Sequence, residues 1–378
     1  MLRPPETGRC IILGRLPLVP NPMSTPPAAS DALVIALRAA LAAQASPWAG
    51  VPLTRLRDKG LAHDHVSLGG TGVLARIPKQ SQMRMDAAGN LAYQAACFER
   101  AAASGHTPLL HGRLPPSALL PRGALLVEEI AGRPAALPAD LGLIVAALAS
   151  IHALPLPPPT ARAPLRDTAD PLADLHAEIA QQAQFLPAAQ VAPAVARPVQ
   201  LGMTALEQLC AAPARPPRHL IAFDGHPGNF VVRGGRAILV DLEKCRYSYP
   251  GLDLAHATLY TSTTWDMETH AVLGVVEVAR AYADWRRALG GPQPAAAHPW
   301  HLPLRQAMWL WSLTWCAKWR VLSRGPVAVD ADGEDWSATR SDAALVAHVQ
   351  GRVDHYLGAE VVALTLAEFE ALGAAWAA

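Results

Sequence analysis

The sequence predicts an α+β chain with a small strand-rich N-terminal part and a large, mainly helical C-terminal part. Three observations carry this. Between residues 51 and 130, short β-patterned runs are punctuated by glycine turns and enclose a single alanine-rich helical stretch. From residue 141 onward helical spacing dominates, and from 253 it is almost unbroken. One short hairpin pattern, over 231–240, interrupts it. A chain of 378 residues makes one large bilobal domain or two medium ones. With 51% hydrophobic and 17% charged residues, it has the apolar material for a substantial core.

The elements follow in order. Residues 1–30 are expected to be a disordered or mis-annotated N-terminal extension, of which residues 1–22 are disordered or an over-extended gene start, with Met23 as the true initiator. The apolar patch from Cys10 to Leu13 is soon broken by Arg15 and three prolines, which no signal peptide allows. Residues 31–45 have helical spacing with Ser30 or Asp31 as N-cap. Strands follow through Val66-Ser-Leu and Val73-Leu-Ala-Arg76-Ile, joined by Gly69-Gly70-Thr71-Gly72. A helix over 90–104 ends at Gly105, and 125–130 is a strand. Beyond it, 141–152 is helical, 155–164 is a proline-stiffened connector, and helices are expected near 171–185 and 202–210.

Composition excludes several classes. A net charge of +1 gives no electrostatic case for nucleic acid or a membrane surface. No apolar run approaches the roughly 18 residues of a membrane span. The five cysteines are scattered and lack metal-ligand spacing, so a reduced, cytoplasmic setting is the default expectation, as a monomer or homodimer. Lysine is scarce (Lys59, Lys79, Lys244, Lys318), leaving arginine to carry the positive charge.

The most informative stretch is His219-Leu-Ile-Ala-Phe-Asp224-Gly-His226-Pro-Gly-Asn229-Phe-Val-Val, followed by Ala237-Ile-Leu-Val-Asp241-Leu-Glu243. Gly225, Pro227 and Gly228 favour a tight loop, which lets Asp224 and Asn229 face one cleft. The hairpin over 231–240 delivers Asp241 to the same place. Phosphoryl transfer from ATP needs such a set: one carboxylate accepts the hydroxyl proton, while an amide oxygen and a second carboxylate hold magnesium against the phosphates. Asp224 is thus the candidate general base, with an Asx-turn as its plain alternative; Asn229 and Asp241 are the candidate metal ligands.

At these residues the chain resembles the aminoglycoside phosphotransferase and choline kinase superfamily, whose catalytic segment reads H-G-D-x-H-P-x-N, then a strand and D-x-E. Asp224, His226, Pro227, Asn229, Asp241 and Glu243 match, while Ala222-Phe223 replaces the usual His-Gly. The resemblance spans roughly residues 51–260. It implies a bilobal protein-kinase-like fold, with an N-lobe at 31–127, a hinge at 128–134 and a helical C-lobe at 135–378. In that C-lobe the catalytic loop is 222–229 and the metal-binding segment 241–243.

It also implies ATP and Mg2+ as cofactors. Arg76 would hold the α- and β-phosphates, with Lys79 as fallback and Glu99 as the pairing carboxylate on the following helix. Gln94 lies nearer the usual spot for that partner. Backbone amides of the Glu128-Glu129-Ile130 segment would hold adenine. Gly60-Leu-Ala-His63-Asp64-His65 could cover the phosphates. Glu243 reaches a second metal through water or pairs with Lys244 or Arg246; His226 packs the loop; Asp253 tethers the next helix to it.

Trp311, Trp315 and Trp319 recur every four residues, more often a core stripe than an ammonium-binding cage. The acidic run 330–335 is expected to be a solvated loop. Residues 251–378 hold 14 acidic and nine basic side chains, a net of −5 that favours a cationic acceptor. The expected activity is therefore transfer of the γ-phosphate of ATP to a hydroxyl of a small molecule, such as an aminoglycoside or a choline-like amine. The rival reading is a nucleotide-binding pseudoenzyme or scaffold, suggested by Ala222-Phe223 and the displaced helix glutamate.

Overall fold

The computed structural model describes residues 29–324 and 341–377. The expected N-terminal extension up to residue 28 and the acidic run 330–335 lie outside the described residues.

Helix α1 (Ala29–Ala43) packs its apolar face on a five-stranded antiparallel sheet. The strands are β1 (Leu53–Arg55), β2 (His63–Leu68), β3 (Val73–Pro78), β4 (Leu110–Leu114) and β5 (Ala124–Glu128), in the order β1-β2-β3-β5-β4. Helix α2 (Ala87–Ala101) is inserted between β3 and β4, and Asp86 caps it by accepting from the Gly89 amide at 2.6 Å. The glycine-rich run is the β2–β3 turn, with Gly70 and Gly72 at φ +76° and +71°. Strand β2 starts at His63, so the expected phosphate-covering stretch is half loop and half strand. Arg76 stands mid-strand, opposite His65 on β2 and Leu125 on β5.

After β5 the chain leaves the sheet. Strand β6 (Arg133–Pro134) pairs with β8 (Phe230–Arg233), which forms a hairpin with β9 (Arg236–Leu239). The hairpin turns on Gly234 and Gly235, both at positive φ. Gly132 fits here because a Cβ at that position would meet Val231 Cγ1 and Val232 O at 2.6 Å. The segment joining sheet and helices is thereby tied to the hairpin that carries Asn229 and Asp241.

The remainder is helical: α3 (Leu141–His152), α4 (Pro171–Ala183) and α5 (Pro193–Ala211), then β7 (His219–Ile221) paired with β10 (Arg246–Ser248). Among the described residues, α6 (Pro250–Thr258), α7 (Tyr260–Thr263), α8 (Val275–Leu289), α9 (Gln293–Ala297), α10 (His301–Leu322), α11 (Ala343–Tyr356) and α12 (Ala359–Ala377) follow. Helix α10 is buried on nearly all sides, as a helix with apolar residues all round must be. It forms the axis of the largest core cluster. Trp309 and Trp319 belong to that core, whereas Trp311 and Trp315 also border the cleft, so the tryptophan stripe divides between two roles. The α+β architecture expected from the sequence is the one observed, with 52% of the structure helical. Among the described residues, no helix is long and apolar enough to cross a membrane.

Candidate active site

A cleft of about 640 Å³ opens between the sheet and the helices. Asp224, Asn229 and Asp241 all line it, as do Arg76, Glu129 and Ile130; Glu99 does not.

The loop wall is built on backbone. Beyond β7, the Ala222 and Phe223 amides donate to the two carboxylate oxygens of Asp253, each at 2.7 Å. Asp253 is fully buried on α6 and is held in turn by His152 Nε2 at 3.0 Å. Trp285 Nε1–H can only donate, so its 2.9 Å bond to His152 Nδ1 leaves the proton on Nε2, aimed at Asp253. The tether expected of Asp253 is thus a two-pronged clamp.

The clamp sets Phe223 at φ +62°, a left-handed conformation costing an ordinary residue about 1–2 kcal/mol. Glycine usually occupies this place in the motif, and here packing offsets the strain. The buried ring meets Trp311 edge-on at 5.2 Å and carries the Arg246 guanidinium 3.5 Å from its centre. His256 Nδ1–H donates to the Phe223 carbonyl at 3.1 Å.

Next along the loop, Asp224 Oδ2 accepts from Lys244 Nζ at 2.7 Å, and Oδ1 lies 3.8 Å from His256. Burial works against the Asp224 charge, but Lys244, His256 and His226 outweigh it and hold the carboxyl below its ordinary value. Asn229 Nδ2 donates to the Asp224 carbonyl at 2.9 Å, which fixes the amide plane and turns its oxygen the other way. The Asn229 carbonyl accepts from Val240 N at 2.9 Å, placing Asn229 beside the residue that precedes Asp241.

The sheet wall is built on side chains. Arg76 Nη2 donates to Asp241 Oδ1 at 2.5 Å and to His63 Nδ1 at 3.3 Å, and Nη1 to the Val240 carbonyl at 3.3 Å. Since guanidinium can only donate, His63 Nδ1 accepts and Nε2–H faces Gln94 Oε1 at 3.0 Å. Gln94 Nε2 in turn lies 3.5 Å from Glu243. Burial opposes the Asp241 charge, but Arg76 and the other nearby positive groups dominate and hold it well below the usual carboxylate range. Burial, then the neighbouring Asp241 charge, pushes Glu243 up to about 8. His63 is driven well below its usual value by burial and Arg76.

Several expectations are corrected here. Glu99 lies on the exposed face of α2 and pairs with Arg113 at 2.7 Å, so Gln94 is the helix residue in the Arg76 network. Asn90, Gln94 and Phe98 share the buried face, and Glu99 lies about 140° round the helix from Gln94. Lys79 is engaged by Asp58, with Asp64 at 3.7 Å. The Glu129 amide donates to Gly72 O at 2.8 Å, so it is held in the sheet region. Ile130 lines the cleft, and its amide has no hydrogen-bond partner among the described residues. Glu243 meets Gln94 and, at 3.6 Å, His63, rather than Lys244 or Arg246. Sequence reasoning placed His63 in the covering stretch and Lys244 beside Glu243 but missed their contacts with Arg76 and Asp224, and it missed His256; only Lys244 had a signal, being a rare lysine directly after D-x-E.

Magnesium fits the donor set. Asn229 offers its amide oxygen, and Asp241 offers the carboxylate oxygen that Arg76 leaves free, in a water-accessible cleft. Magnesium characteristically takes one or two protein oxygens and fills its shell with phosphate and water. No cluster of three or more His, Cys, Asp or Glu suited to a metal occurs among the described residues.

The far side of the cleft is aromatic and acidic, with Trp265, Trp311, Trp315 and Tyr356 near Asp266 and Glu268. At its mouth Lys59 bridges to Glu268 at 2.9 Å.

The family model described as "Phosphotransferase enzyme family" matches residues 65–300. Among solved structures, the chain is similar to a choline/ethanolamine kinase family protein from Mesorhizobium loti, with TM-score 0.55 and 19% identity over 90% of this chain and 99% of that one. It is also similar to an ethanolamine kinase from Plasmodium vivax, with TM-score 0.52 and 12% identity over 80% and 81% of the two chains. A third is a thermostable mutant of an aminoglycoside phosphotransferase in ternary complex with AMP-PNP and hygromycin B, with TM-score 0.52 and 14% identity over 86% and 98%. At these identities the likeness is one of fold, the bilobal protein-kinase-like fold. Among curated proteins, none matches the sequence.

Proposed function

This chain belongs to the phosphotransferase enzyme family, and from that premise we propose that it transfers the γ-phosphoryl group of ATP to a hydroxyl of a small-molecule acceptor, with magnesium. The observation that carries the proposal is that Asp224, Asn229 and Asp241 border one cleft.

In this reading Arg76 faces the α- and β-phosphates from the sheet wall, and Ile130 offers its amide to the base. Asn229 and Asp241 would hold magnesium, which supplies charge neutralisation on the phosphate oxygens when bound. Asp224, kept ionised by Lys244, orients the acceptor hydroxyl and receives its proton. The acceptor oxygen bonds to the γ-phosphorus as the bond to the β-phosphate oxygen breaks, and ADP leaves with that electron pair. Most of the rate then comes from positioning and charge neutralisation. The Ala222-Phe223 departure does not disable the loop in this reading, because Asp253 grips main-chain amides that any residue but proline supplies.

For the acceptor, the aromatic wall and the carboxylates of Asp266 and Glu268 favour an amino alcohol or another cationic molecule. The test is ADP release from magnesium-ATP over a panel of amino alcohols, aminoglycosides, sugars and amino-acid alcohols. The proposal expects release with at least one acceptor and none from Asp224→Ala. Release from Asp224→Ala at the wild-type rate would refute the assignment.

A further inference from the structure

Lys244 touches the Asp224 carboxylate yet has no direct part in the reaction as described. Its Nζ is 2.7 Å from Asp224 Oδ2 and 5.7 Å from the centre of the Trp311 ring. The side chain is 12% exposed, and Lys244 lines the same cleft as Asp224, Asn229 and Asp241. It therefore sits between the expected general base and the aromatic acceptor wall. Arg76, on the opposite wall, is engaged by Asp241, His63 and the Val240 carbonyl. Burial disfavours the Lys244 charge, but Asp224 and Glu243 keep it cationic.

A lysine serving only to neutralise a carboxylate need not border the cleft. This one does so 2.7 Å from the carboxylate that takes the acceptor proton in the reaction proposed above. It also occupies one oxygen of Asp224, leaving Oδ1 for the acceptor proton.

We propose that Lys244 is a further catalytic residue, its ammonium contacting the phosphoryl group in transfer while it is held by Asp224. The proposal rests on the phosphotransferase reading above. The acceptor proton goes to Asp224, the bond from acceptor oxygen to γ-phosphorus forms, and the bond to ADP breaks. Lys244 neither gains nor loses a proton. As Asp224 takes up the proton its hold on the ammonium weakens, and that charge becomes available to the phosphoryl oxygens.

The experiment is steady-state ADP release from magnesium-ATP by the full chain, with water and a panel of small alcohols as acceptors. Wild type is compared with Lys244→Met, Lys244→Arg, Asp224→Asn and the Asp224→Asn/Lys244→Met double variant. Lys244→Met should lower kcat about 100-fold and change KM for ATP by less than about threefold. Lys244→Arg should recover at least about tenfold of that loss. The double variant should lose at least about tenfold beyond Asp224→Asn alone, because a residue acting only through Asp224 would add nothing. Wild-type kcat in Lys244→Met overturns the proposal, as does a double variant no slower than Asp224→Asn. Should Lys244→Met fail to fold, Lys244→Gln decides: about 100-fold lower kcat supports the role, and unchanged kcat overturns it. A wild type that releases no ADP with any acceptor defeats the phosphotransferase reading itself, and this proposal with it.

Discussion

On the loop wall of the cleft, Asp224 is placed by backbone: two main-chain amides, one buried carboxylate and a glycine-rich turn. On the sheet wall, Arg76 is placed by side chains, in a chain running from Glu243 through Gln94 and His63 to the guanidinium and on to Asp241. The difference decides what each wall tolerates. Ala222 and Phe223 can stand where the motif has His-Gly because any residue but proline brings an amide N–H, provided Asp253 remains. The sheet wall has less freedom, since apart from the Val240 carbonyl its links to Arg76 depend on particular side-chain donors and acceptors.

Acid should act on both walls and on the helical core, with the largest effect: His63 on the sheet wall is held low like the histidines named next, while Glu243, held high, takes up its proton in the fold and offsets one of them. Burial pushes His256 down to about 4 and His301 down to about 3. Below pH 6.5 the unfolded chain binds protons that these folded imidazoles refuse, so stability falls as pH drops toward about 4. The slope is up to about 1.4 kcal/mol per pH unit for each group. Thermal melts between pH 7 and 4.5 check this, and a flat profile would contradict it.

Asp253→Ala should cost about 3–5 kcal/mol in denaturant unfolding, because it strands two buried amides and His152. A loss below about 1 kcal/mol would mean that something else holds the loop. Phe223→Gly relieves about 1–2 kcal/mol of backbone strain but forfeits a buried ring worth about 3–5 kcal/mol. The net expectation is a loss of about 2 kcal/mol, and a gain in stability would show that strain outweighs packing there. Gln94→Leu should cost about 1–3 kcal/mol by leaving His63 and Glu243 short of a partner, and should raise KM for ATP more than it lowers kcat. Glu99→Ala, on the exposed face of the same helix, should stay within about 0.5 kcal/mol and leave turnover unchanged. If the effects of Gln94→Leu and Glu99→Ala were reversed, the place given to Gln94 in the Arg76 network would be wrong.

The same contrast explains what the sequence revealed. The loop and its hairpin were legible because their parts lie within 25 consecutive residues, from His219 to Glu243, and each turn residue declares its geometry. Asp253 was legible as a tether, though its grip on both amides needed coordinates. The sheet wall was less so. His63 and Gln94 are 31 residues apart, on β2 and α2, and meet only through the tertiary fold. The choice between Gln94 and Glu99 turns on helix rotation, which propensity does not specify. Trp311 and Trp319, at identical spacing on one helix, differ because only the packing of α10 decides which turn meets the cleft.

The most direct test of the central claim is a crystal structure with AMP-PNP and manganese, read by anomalous scattering. The account predicts a manganese peak bounded by the Asn229 amide oxygen and the Asp241 carboxylate, with Asp224 facing the γ-phosphate. A nucleotide bound with its metal away from both residues would contradict it.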